Sequence, residues 1–547
     1  MLELIDRDAN GRICKFTINK QTIRTPTIMP VINPNKITIT PEEIKKFGAE
    51  ILITNSYIIK QSGLEQDVHK LLNWPGLIYT DSGTFQMYSH GITDLNAEEM
   101  IDFQNKIKSD IVTPVDMFTL PTDTRTIAKE KLNETSKRVF TARQLTQNLV
   151  GPIQGGLYLD LRKQACKEIS AANPDVFAIG GIVPLMEQYR FKELFDIILT
   201  CKENLPSNVP VHAFGAGHPM VFAPLVAIGC DLFDSAMYSL AAKRDAYLTN
   251  SGTYQLDNLY EFPCNCPQCT SSSPEEVRKL DKEQREIFLA RHNLYVTFSE
   301  LATIRQAIKE NSLWELVQIR IRSHPSLLDA FSVLGKHKKY LIKQDLISKK
   351  SAFFYGGKES ELRPEVVRAK MMVKNIKSKK YYIKKPFGKI PCEFRGLYPF
   401  GQSIIPGFRE PVVDVTSNDI IKKTIEYQFG SDIKTDFRAE VSKKTGRIRR
   451  VWKDKKLIGT IRASDGFFIP SIEGEKYVKM KKVEIDADVA PHITGSIFAK
   501  FVKKCDDIIP GEEVAIVAND KVIGLGTALL NSKEMKEFKR GVAVKLR

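Results

Sequence analysis

The sequence predicts an α/β protein in which a (β/α)₈ TIM barrel is followed by small α+β domains and a C-terminal β-barrel. Three observations predict this fold. Strand-like and helical patterns alternate over the first part of the chain, a basic region of mixed pattern follows, and the last residues form short strands separated by turn signals. At 547 residues the chain is long enough for several domains. We expect the boundaries 1–345, 346–425, 426–478 and 479–547.

Seven short apolar runs within residues 1–345 predict the strands of the barrel. They are Ile51–Asn55, Gly76–Asp81, Ile111–Asp116, Gly151–Gln154, Val176–Gly180, Val211–Gly215 and Asp231–Asp234. Helical patterns such as residues 161–172 and 191–199 lie between them, which indicates parallel strands joined by crossover helices. Seven such runs over ~250 residues fit a closed barrel better than an open sheet.

Residues able to do chemistry stand where these runs end. Because the carboxyl ends of barrel strands converge on one face, we expect these residues to share one pocket. They are Asp81, Asp116, Gln154, Gly181 and Asp234.

The composition indicates a protein with basic surfaces and no membrane segment. Lysine and arginine outnumber aspartate and glutamate by 81 to 65, giving a net charge of +16. Such a surface attracts a polyanion, although lysine-rich faces that are merely solvated explain it equally well. No apolar run reaches the ~18 residues that a membrane helix needs, and residues 1–8 are too charged for a signal peptide. The nine cysteines do not resemble a secreted disulfide framework, so we expect a cytoplasmic protein.

Three cysteines within six residues predict an inserted zinc-binding subdomain. Cys264, Cys266 and Cys269 are close enough in sequence to hold one ion, and His292 is the nearest histidine able to complete a tetrahedral set. Four protein ligands leave no position for water, so one Zn²⁺ here would be structural. The alternatives are free buried cysteines and an ordinary histidine.

The stretches around Asp81 and Asp234 are ambiguous when each is taken alone. In residues 80–86, Gly83 permits a tight turn and Phe85 offers a flat face beside the Asp81 carboxylate. Asp81 could simply cap the next helix, and helix capping would also explain Asp234 at the end of its run.

Three further motifs follow strand-like runs in order along the chain. They are residues 116–118 (Asp-Met-Phe), 151–156 (Gly-Pro-Ile-Gln-Gly-Gly) and 179–182 (Ile-Gly-Gly-Ile). Together with the two aspartate stretches and the cysteine cluster, they make residues 1–345 resemble the tRNA-guanine transglycosylase family. The resemblance implies an enzyme that removes guanine from a transfer RNA and inserts a modified base.

The resemblance also implies roles for individual residues. Asp234 would be the nucleophile on the ribose C1′, forming a covalent RNA–enzyme intermediate, and Asp81 the general acid/base. Asp116 and Gln154 would read the purine edge. The remaining substrate-binding residues implied are Ser82, Thr84, Phe85, Gly181, Ile182 and Val183, with Lys243 and Arg244 as candidates for RNA contact.

Residues 479–547 resemble a PUA domain, a small barrel that binds structured RNA. A PUA domain behind a transglycosylase barrel is the archaeal arrangement, and those enzymes insert 7-cyano-7-deazaguanine (preQ0) at position 15 of the D arm. The resemblance thus implies tRNA, guanine and preQ0 as partners, and a homodimer. The basic middle region, which includes the run Lys349-Lys350, would help to hold RNA phosphates.

Two features depart from this family pattern. Thr84 stands where archaeal members usually carry serine. Pro391-Cys392 resembles a signature of the paralogue archaeosine synthase, which amidates the inserted base, but the lysine that follows there is missing from this chain, which reads Gly396-Leu397-Tyr398. An amidating paralogue and a tRNA-binding protein without activity therefore stand as the alternative functions.

Overall fold

The computed structural model describes residues 1–84 and 96–547, and it divides the chain into two compact units. The first unit consists of Met1–Asp6, Gly11–Ile308 and Ile319–Val333. The second consists of Arg7–Asn10, Lys309–Gln318 and Leu334–Arg547.

A three-stranded sheet opens the chain, in the order β1-β2-β3. Its strands are β1 (Leu2–Asp8), β2 (Gly11–Ile18) and β3 (Gln21–Thr25). Along β2 the side chains of Cys14, Phe16 and Ile18 are buried and that of Lys15 is exposed. This alternation is typical of a strand with one face packed on a core.

Eight parallel strands form the barrel, in the order β7-β6-β5-β4-β11-β10-β9-β8. They are β4 (Thr27–Ile32), β5 (Ile51–Asn55), β6 (Leu77–Asp81), β7 (Ile111–Val112), β8 (Val150–Ile153), β9 (Val176–Ile179), β10 (Val211–Ala213) and β11 (Leu232–Ser235). A parallel bridge between Val112 and Leu149 joins the two ends of this order and nearly closes the sheet. The predicted barrel is confirmed.

The strand β4 is absent from the seven runs that predicted the barrel. It contains Pro30 and begins one residue after Pro26, and both prolines interrupt the sequence pattern of a buried strand. In the structure β4 pairs in parallel with β5 and β11, so it completes the set of eight.

Helices cross between the barrel strands, as the alternating pattern predicts. They are Pro41–Lys46, Ser56–Gln61, Val68–Leu71, Ala97–Lys106, Arg125–Leu145, Leu159–Ala171, Val183–Glu187, Phe191–Asn204, Phe222–Ala227 and Met237–Ala242. In Leu159–Ala171 the buried residues Leu161, Ala165 and Ile169 recur every four positions and form the face that packs on the barrel.

The cysteine segment follows the last barrel strand. It begins with the hairpin of β12 (Ala246–Thr249) and β13 (Gly252–Gln255). The helices that follow are Pro267–Ser271, Pro274–Lys279, Lys282–Glu310, Leu313–Arg320 and Pro325–Ala330. Tyr247 and Cys269 share a hydrophobic cluster with Leu52 and Ile78 of the barrel strands, which fixes this segment against the barrel.

The second unit contains four sheets within residues 334–547. The pairs β14–β17 and β15–β16 and the four-stranded sheet β18–β21 precede a six-stranded sheet with the order β23-β27-β26-β25-β22-β24. The first eight of these strands are β14 (Phe353–Phe354), β15 (Tyr381–Lys384), β16 (Gly388–Pro391), β17 (Ser403–Ile404), β18 (Arg438–Val441), β19 (Ile448–Lys453), β20 (Lys456–Ile461) and β21 (Phe468–Pro470). The six-stranded sheet comprises β22 (Lys481–Ile485), β23 (Ser496–Phe498), β24 (Val502–Cys505), β25 (Glu513–Ala518), β26 (Lys521–Ala528) and β27 (Val542–Leu546). Within Leu334–Arg547, the α-helices of the second unit are Lys338–Gln344, Pro364–Val373, Ser417–Phe429 and Ser532–Glu537.

One lysine of the basic middle region is buried instead of facing solvent. The Nζ of Lys349 lies 2.7 Å from Asp8 and 3.1 Å from Asp345, and all three side chains are at most 1% exposed. A buried ammonium must be paired, so these two carboxylates hold Lys349 inside the second unit. The expected phosphate-binding role is therefore wrong for Lys349.

None of the helices within residues 1–84 and 96–547 is both long and apolar enough to cross a membrane.

Candidate active site

A cavity of about 540 Å³ opens at the carboxyl ends of the barrel strands. This volume suits a single nucleobase with space beside it for a sugar. All five strand-end residues that the sequence singles out contribute to its wall: Asp81, Asp116, Gln154, Gly181 and Asp234. The convergence arises because parallel strands of a barrel present the same ends to one face.

Asp81 is the last residue of β6, and the turn that follows holds its carboxyl group. The backbone amide of Gly83 hydrogen-bonds to this carboxyl, and Asn55 Nδ2 donates to Oδ2 at 3.1 Å. Gly83 has φ +85°, and a Cβ there would lie 2.4 Å from the Cβ of Tyr57, so the turn requires glycine.

The environment of Asp81 favours its protonated form. Burial is the largest cause, and the nearby carboxylates of Asp116 and Asp234 add to it, so the pKa of Asp81 rises to about 7. A carboxyl group with this pKa can donate and accept a proton near neutral pH.

Asp234 lies in β11 and is 7% exposed, with one carboxylate oxygen already engaged. Oδ1 accepts hydrogen bonds from His212 Nε2 at 2.8 Å and from the backbone amide of Gly215. Within residues 1–84 and 96–547, no group hydrogen-bonds to Oδ2. Asp234 therefore presents one free oxygen to the cavity that it lines.

Asp116 and Gln154 form a hydrogen-bonded pair on the opposite part of the wall. Gln154 Nε2 donates to Asp116 Oδ2, and Gln154 Oε1 accepts from the hydroxyl of Thr119 at 2.6 Å. The Thr119 hydroxyl thereby fixes which end of the amide faces Asp116. Burial raises the pKa of Asp116, while the hydrogen bonds from Gln154 and Thr84 act in the opposite direction.

A glycine loop completes the floor of the cavity. Gly181 has φ +70°, and a Cβ there would lie 2.8 Å from the carbonyl oxygen of Thr119. Behind the loop, the fully buried Arg162 donates to the carbonyl oxygens of Ile153 at 2.6 Å and of Gly180 at 2.9 Å. Arg162 thus connects the segments that carry Gln154 and Gly181, which holds the loop close to the cavity.

Of the remaining substrate-binding candidates, Thr84 and Val183 line the cavity. Ser82 is buried, and its hydroxyl lies 3.0 Å from that of Thr84 instead of facing the cavity. The side chain of Ile182 is fully buried in the core, so only its backbone could contact a ligand. Phe85 lies outside the described residues.

The two basic candidates are both exposed but differ in position. Lys243 lines the mouth of the cavity, together with Lys36 from the loop after β4. Arg244 is next to Lys243 in sequence but does not line the cavity.

Sequence reasoning missed three polar residues that hold the cavity groups in place: Asn55, Thr119 and His212. His212 is the clearest case, because it is a polar residue within the run Val211–Gly215 and both of its neighbours in sequence are apolar. A histidine at an inward-facing position of a barrel strand indicates a candidate functional residue. Only the structure shows which carboxylate it contacts.

The cysteine cluster and His292 come together as the spacing predicts. The three sulfur atoms and one ring nitrogen all lie within 4.8 Å of one another. His292 Nε2 contacts the carbonyl oxygen of Leu248 at 2.9 Å, while Nδ1 lies 3.2 Å from the sulfur of Cys269. This arrangement turns Nδ1 towards the sulfurs, and the four groups could hold a metal ion.

Comparisons with known proteins agree with these features. Residues 6–326 match the family model described as queuine tRNA-ribosyltransferase. Residues 419–481 match the patch-forming domain C2 of tRNA-guanine transglycosylase, and residues 481–547 match the PUA domain. The resemblances stated from the sequence are confirmed.

Similar proteins match over the whole chain. A tRNA-guanine(15) transglycosylase of Thermococcus onnurineus is 42% identical over 575 residues, covering 100% of this chain and 98% of the relative. The proteins of the same name from Methanococcus aeolicus and Pyrococcus furiosus are 39% and 42% identical, covering 100% of this chain and 99% and 97% of the relatives. The chain belongs to the queuine tRNA-ribosyltransferase family, as a full-length relative of the tRNA-guanine(15) transglycosylases.

Proposed function

We propose that this chain exchanges guanine at position 15 of tRNA for preQ0 through a covalent intermediate on Asp234. One observation carries the proposal: two carboxyl groups of different character face the same base-sized cavity. Asp234 has a free oxygen, whereas Asp81 has a pKa of about 7. A nucleophile and a proton carrier are the two groups that glycosyl exchange requires.

In the first half of the reaction, the Oδ2 atom of Asp234 forms a bond to the ribose C1′. The bond from C1′ to N9 of guanine breaks, and guanine leaves with the electron pair and takes a proton from Asp81. In the second half, Asp81 removes the N9 proton of preQ0, and N9 attacks C1′. The ester bond to Asp234 then breaks and its electron pair returns to the carboxylate.

The Asp116–Gln154 pair supports recognition of a guanine-like edge. A carboxylate accepts hydrogen bonds from the N1–H and the 2-amino group, which guanine and preQ0 share. The second N–H of the Gln154 amide has no partner within residues 1–84 and 96–547, so it is free to donate to the base carbonyl. The base must leave its stack in the RNA to enter this cavity.

The tRNA substrate is supported by the second unit and by the charge of the chain. The chain carries +16 overall, and its last residues match an RNA-binding domain family. Position 15 of the tRNA is proposed as the site of exchange because the similar proteins are named tRNA-guanine(15) transglycosylases. Lys243 and Arg244 would contact phosphates beside the flipped nucleotide, where Lys243 stands at the cavity mouth.

The direct test supplies the enzyme with unmodified tRNA and labelled preQ0, then maps the label by nuclease digestion. We expect stable incorporation at position 15, and release of one guanine for each preQ0 incorporated. A substrate in which G15 is replaced by adenosine is the matched control. Amidation of preQ0-tRNA without exchange would favour the synthase-like alternative, and tRNA binding without either reaction would favour a protein without activity.

Replacing Asp116 by asparagine should weaken base recognition while leaving tRNA binding intact. A hydrogen bond to a charged group contributes ~1.5–3 kcal/mol, so kcat/KM for the base should fall by about 10- to 150-fold. Steady-state kinetics with varied base, and filter binding of tRNA, separate the two effects. Asp102→Asn, at an exposed carboxyl on the helix Ala97–Lys106, is the control. An equal loss of tRNA affinity in Asp116→Asn would contradict the assignment.

We also propose that the cysteine cluster and His292 hold one structural Zn²⁺. Three sulfurs and an imidazole form a donor set that zinc prefers, and four ligands leave no place for a reacting water. The ion would stabilise the segment behind the catalytic face, where Cys269 packs in the same cluster as barrel residues.

Substituting Cys269→Ser should therefore lower both the metal content and the thermal stability. Elemental analysis should find about one zinc per wild-type chain and much less in the variant, with a Tm lower by several degrees because the binding energy is lost. Cys505→Ser, in β24 of the last sheet, should retain the metal. The site would be refuted if the wild-type protein contained no zinc and Cys269→Ser left the Tm unchanged.

Three further features remain proposals. The family resemblance supports a homodimer, which sedimentation or light scattering at several concentrations can measure. A tRNA substrate supports a cytoplasmic location. The division into a catalytic barrel (1–345), two small domains (346–425 and 426–478) and an RNA-binding domain (479–547) can be examined by limited proteolysis.

A further inference from the structure

We infer that His212 is a positioning residue for Asp234: it donates from Nε2 to Oδ1, which leaves Oδ2 as the attacking oxygen. This inference rests on the proposed exchange reaction and adds a residue to its machinery. It depends on a contact between neighbouring strands, because His212 lies in β10 and Asp234 in β11.

The geometry around Oδ1 distinguishes the two carboxylate oxygens. His212 Nε2 lies 2.8 Å from Oδ1, and the amide of Gly215 donates to the same atom. Two donors on one oxygen fix the rotation of the carboxylate about its last bond. Oδ2 then has a defined direction, and it is the atom without a protein donor in the described part of the chain.

The surroundings of His212 define which ring nitrogen carries the proton. Nδ1 lies 3.4 Å from the hydroxyl of Tyr79. Burial raises the pKa of Tyr79 well above its ordinary value, so the phenol keeps its proton and pairs with Nδ1 as a neutral hydroxyl. A carboxylate oxygen accepts, so in the bond to Oδ1 it is Nε2 that carries the N–H. The ring thus donates from Nε2 to Asp234, while its Nδ1 pairs with the Tyr79 hydroxyl.

The same two donors serve both halves of the exchange. When Oδ2 bonds to C1′, the carboxylate becomes an ester and Oδ1 becomes its carbonyl oxygen, still paired with His212 and Gly215. When the incoming base displaces the ester, negative charge returns to the carboxylate. Fixed donors on Oδ1 stabilise that charge without any rearrangement, and so favour the departure of Asp234.

The ring of His212 is also well held by packing. It is completely buried, its centroid lies 5.6 Å from that of Tyr79 in an edge-on arrangement, and Phe214 packs at 4.7 Å. A phenylalanine ring has a similar size and keeps these contacts, whereas it lacks the N–H. This allows the donor to be removed while the packing is retained.

The test compares His212→Phe with His212→Gln, whose amide nitrogen can reach the position of Nε2 and donate without taking part in proton transfer. We expect His212→Phe to lower kcat, and the single-turnover rate of the covalent adduct, by about 10- to 150-fold. The KM for tRNA and the affinity for the free base should change little. His212→Gln should recover most of the rate, and His69→Gln, outside the cavity wall, should match the wild type.

The outcomes separate this inference from the proposed function. If the wild type shows no exchange, the proposed function fails. If the wild type exchanges bases and His212→Phe does so equally fast, the positioning role is overturned. Equal losses in His212→Gln and His212→Phe would also overturn it, because the donor would not be the important property. Should His212→Phe fail to fold, His212→Asn, whose shorter amide falls short of Oδ1, replaces it in the same comparison.

Discussion

Replacing Asp234 by asparagine should eliminate base exchange, with kcat lower by about 10⁴-fold or more, as expected when a covalent nucleophile is removed. The amide has nearly the same shape and its oxygen can still accept from His212 and Gly215, so the cavity should stay intact. The amide nevertheless lacks the charged oxygen that, in the proposed reaction, bonds to C1′. Incorporation of labelled guanine into tRNA measures the loss.

A trapping experiment examines the intermediate itself. The base analogue 9-deazaguanine has carbon in place of N9, so it occupies the pocket while the second half-reaction stops. We expect a covalent RNA–protein band on a denaturing gel with the wild type and none with Asp234→Asn. A band of equal strength in the variant would place the nucleophile elsewhere. Absence of the band from an exchanging wild type would refute the covalent route.

Replacing Asp81 by asparagine should lower kcat by about 10²- to 10⁴-fold, the usual contribution of a general acid/base. With a pKa of about 7, the wild-type carboxyl can take both forms near neutrality, as the proposed reaction requires: protonated for guanine release and ionised for activation of the incoming base. In a plot of kcat against pH, the wild-type kcat should decrease on both sides of pH 7, since each half-reaction needs a different protonation state of Asp81. Asparagine has no carboxyl proton to exchange, so the decreases of kcat on the acidic and alkaline sides should both disappear. An unchanged bell in Asp81→Asn would assign the titration to another group.

The same substitution should stabilise the fold at alkaline pH. The pKa of Asp81 is about 7 in the folded chain against 3.8 for an unperturbed aspartate. The folded state therefore binds the proton more tightly, and its stability decreases as pH rises from about 4 to 7. Asparagine removes this effect, so the Tm of Asp81→Asn should exceed that of the wild type at pH 8. The difference should shrink towards pH 4, and a lower Tm at pH 8 would contradict the assigned pKa.

The sequence was sufficient to place Asp81, Asp116, Gln154 and Asp234 together, because barrel geometry brings strand ends to one face whatever the details of packing. The cluster of Cys264, Cys266, Cys269 and His292 is predictable for a similar reason, since close spacing of cysteines leaves few arrangements.

The connections between these residues were not predictable. Which oxygen of Asp234 is free depends on the register of β10 against β11, and that register places His212 beside it. The orientation of the Gln154 amide depends on the Thr119 hydroxyl, which belongs to a loop with no periodic pattern. Lys349 was expected at the surface because a run of lysines gives no sign that two distant carboxylates, Asp8 and Asp345, bury one of them.

The three carboxyl groups in the cavity have a consequence for how a nucleotide can enter it. The chain as a whole is strongly cationic, with +16, yet Asp81, Asp116 and Asp234 all face one small space. A phosphate is drawn to the outer surface and repelled from the interior, whereas an uncharged base meets no such barrier. Electrostatics therefore favours a nucleotide that enters with its base in the cavity and its phosphate at the rim. In the proposed exchange, the same effect would favour a free base over a mononucleotide as the second substrate, because a mononucleotide would bring its own phosphate.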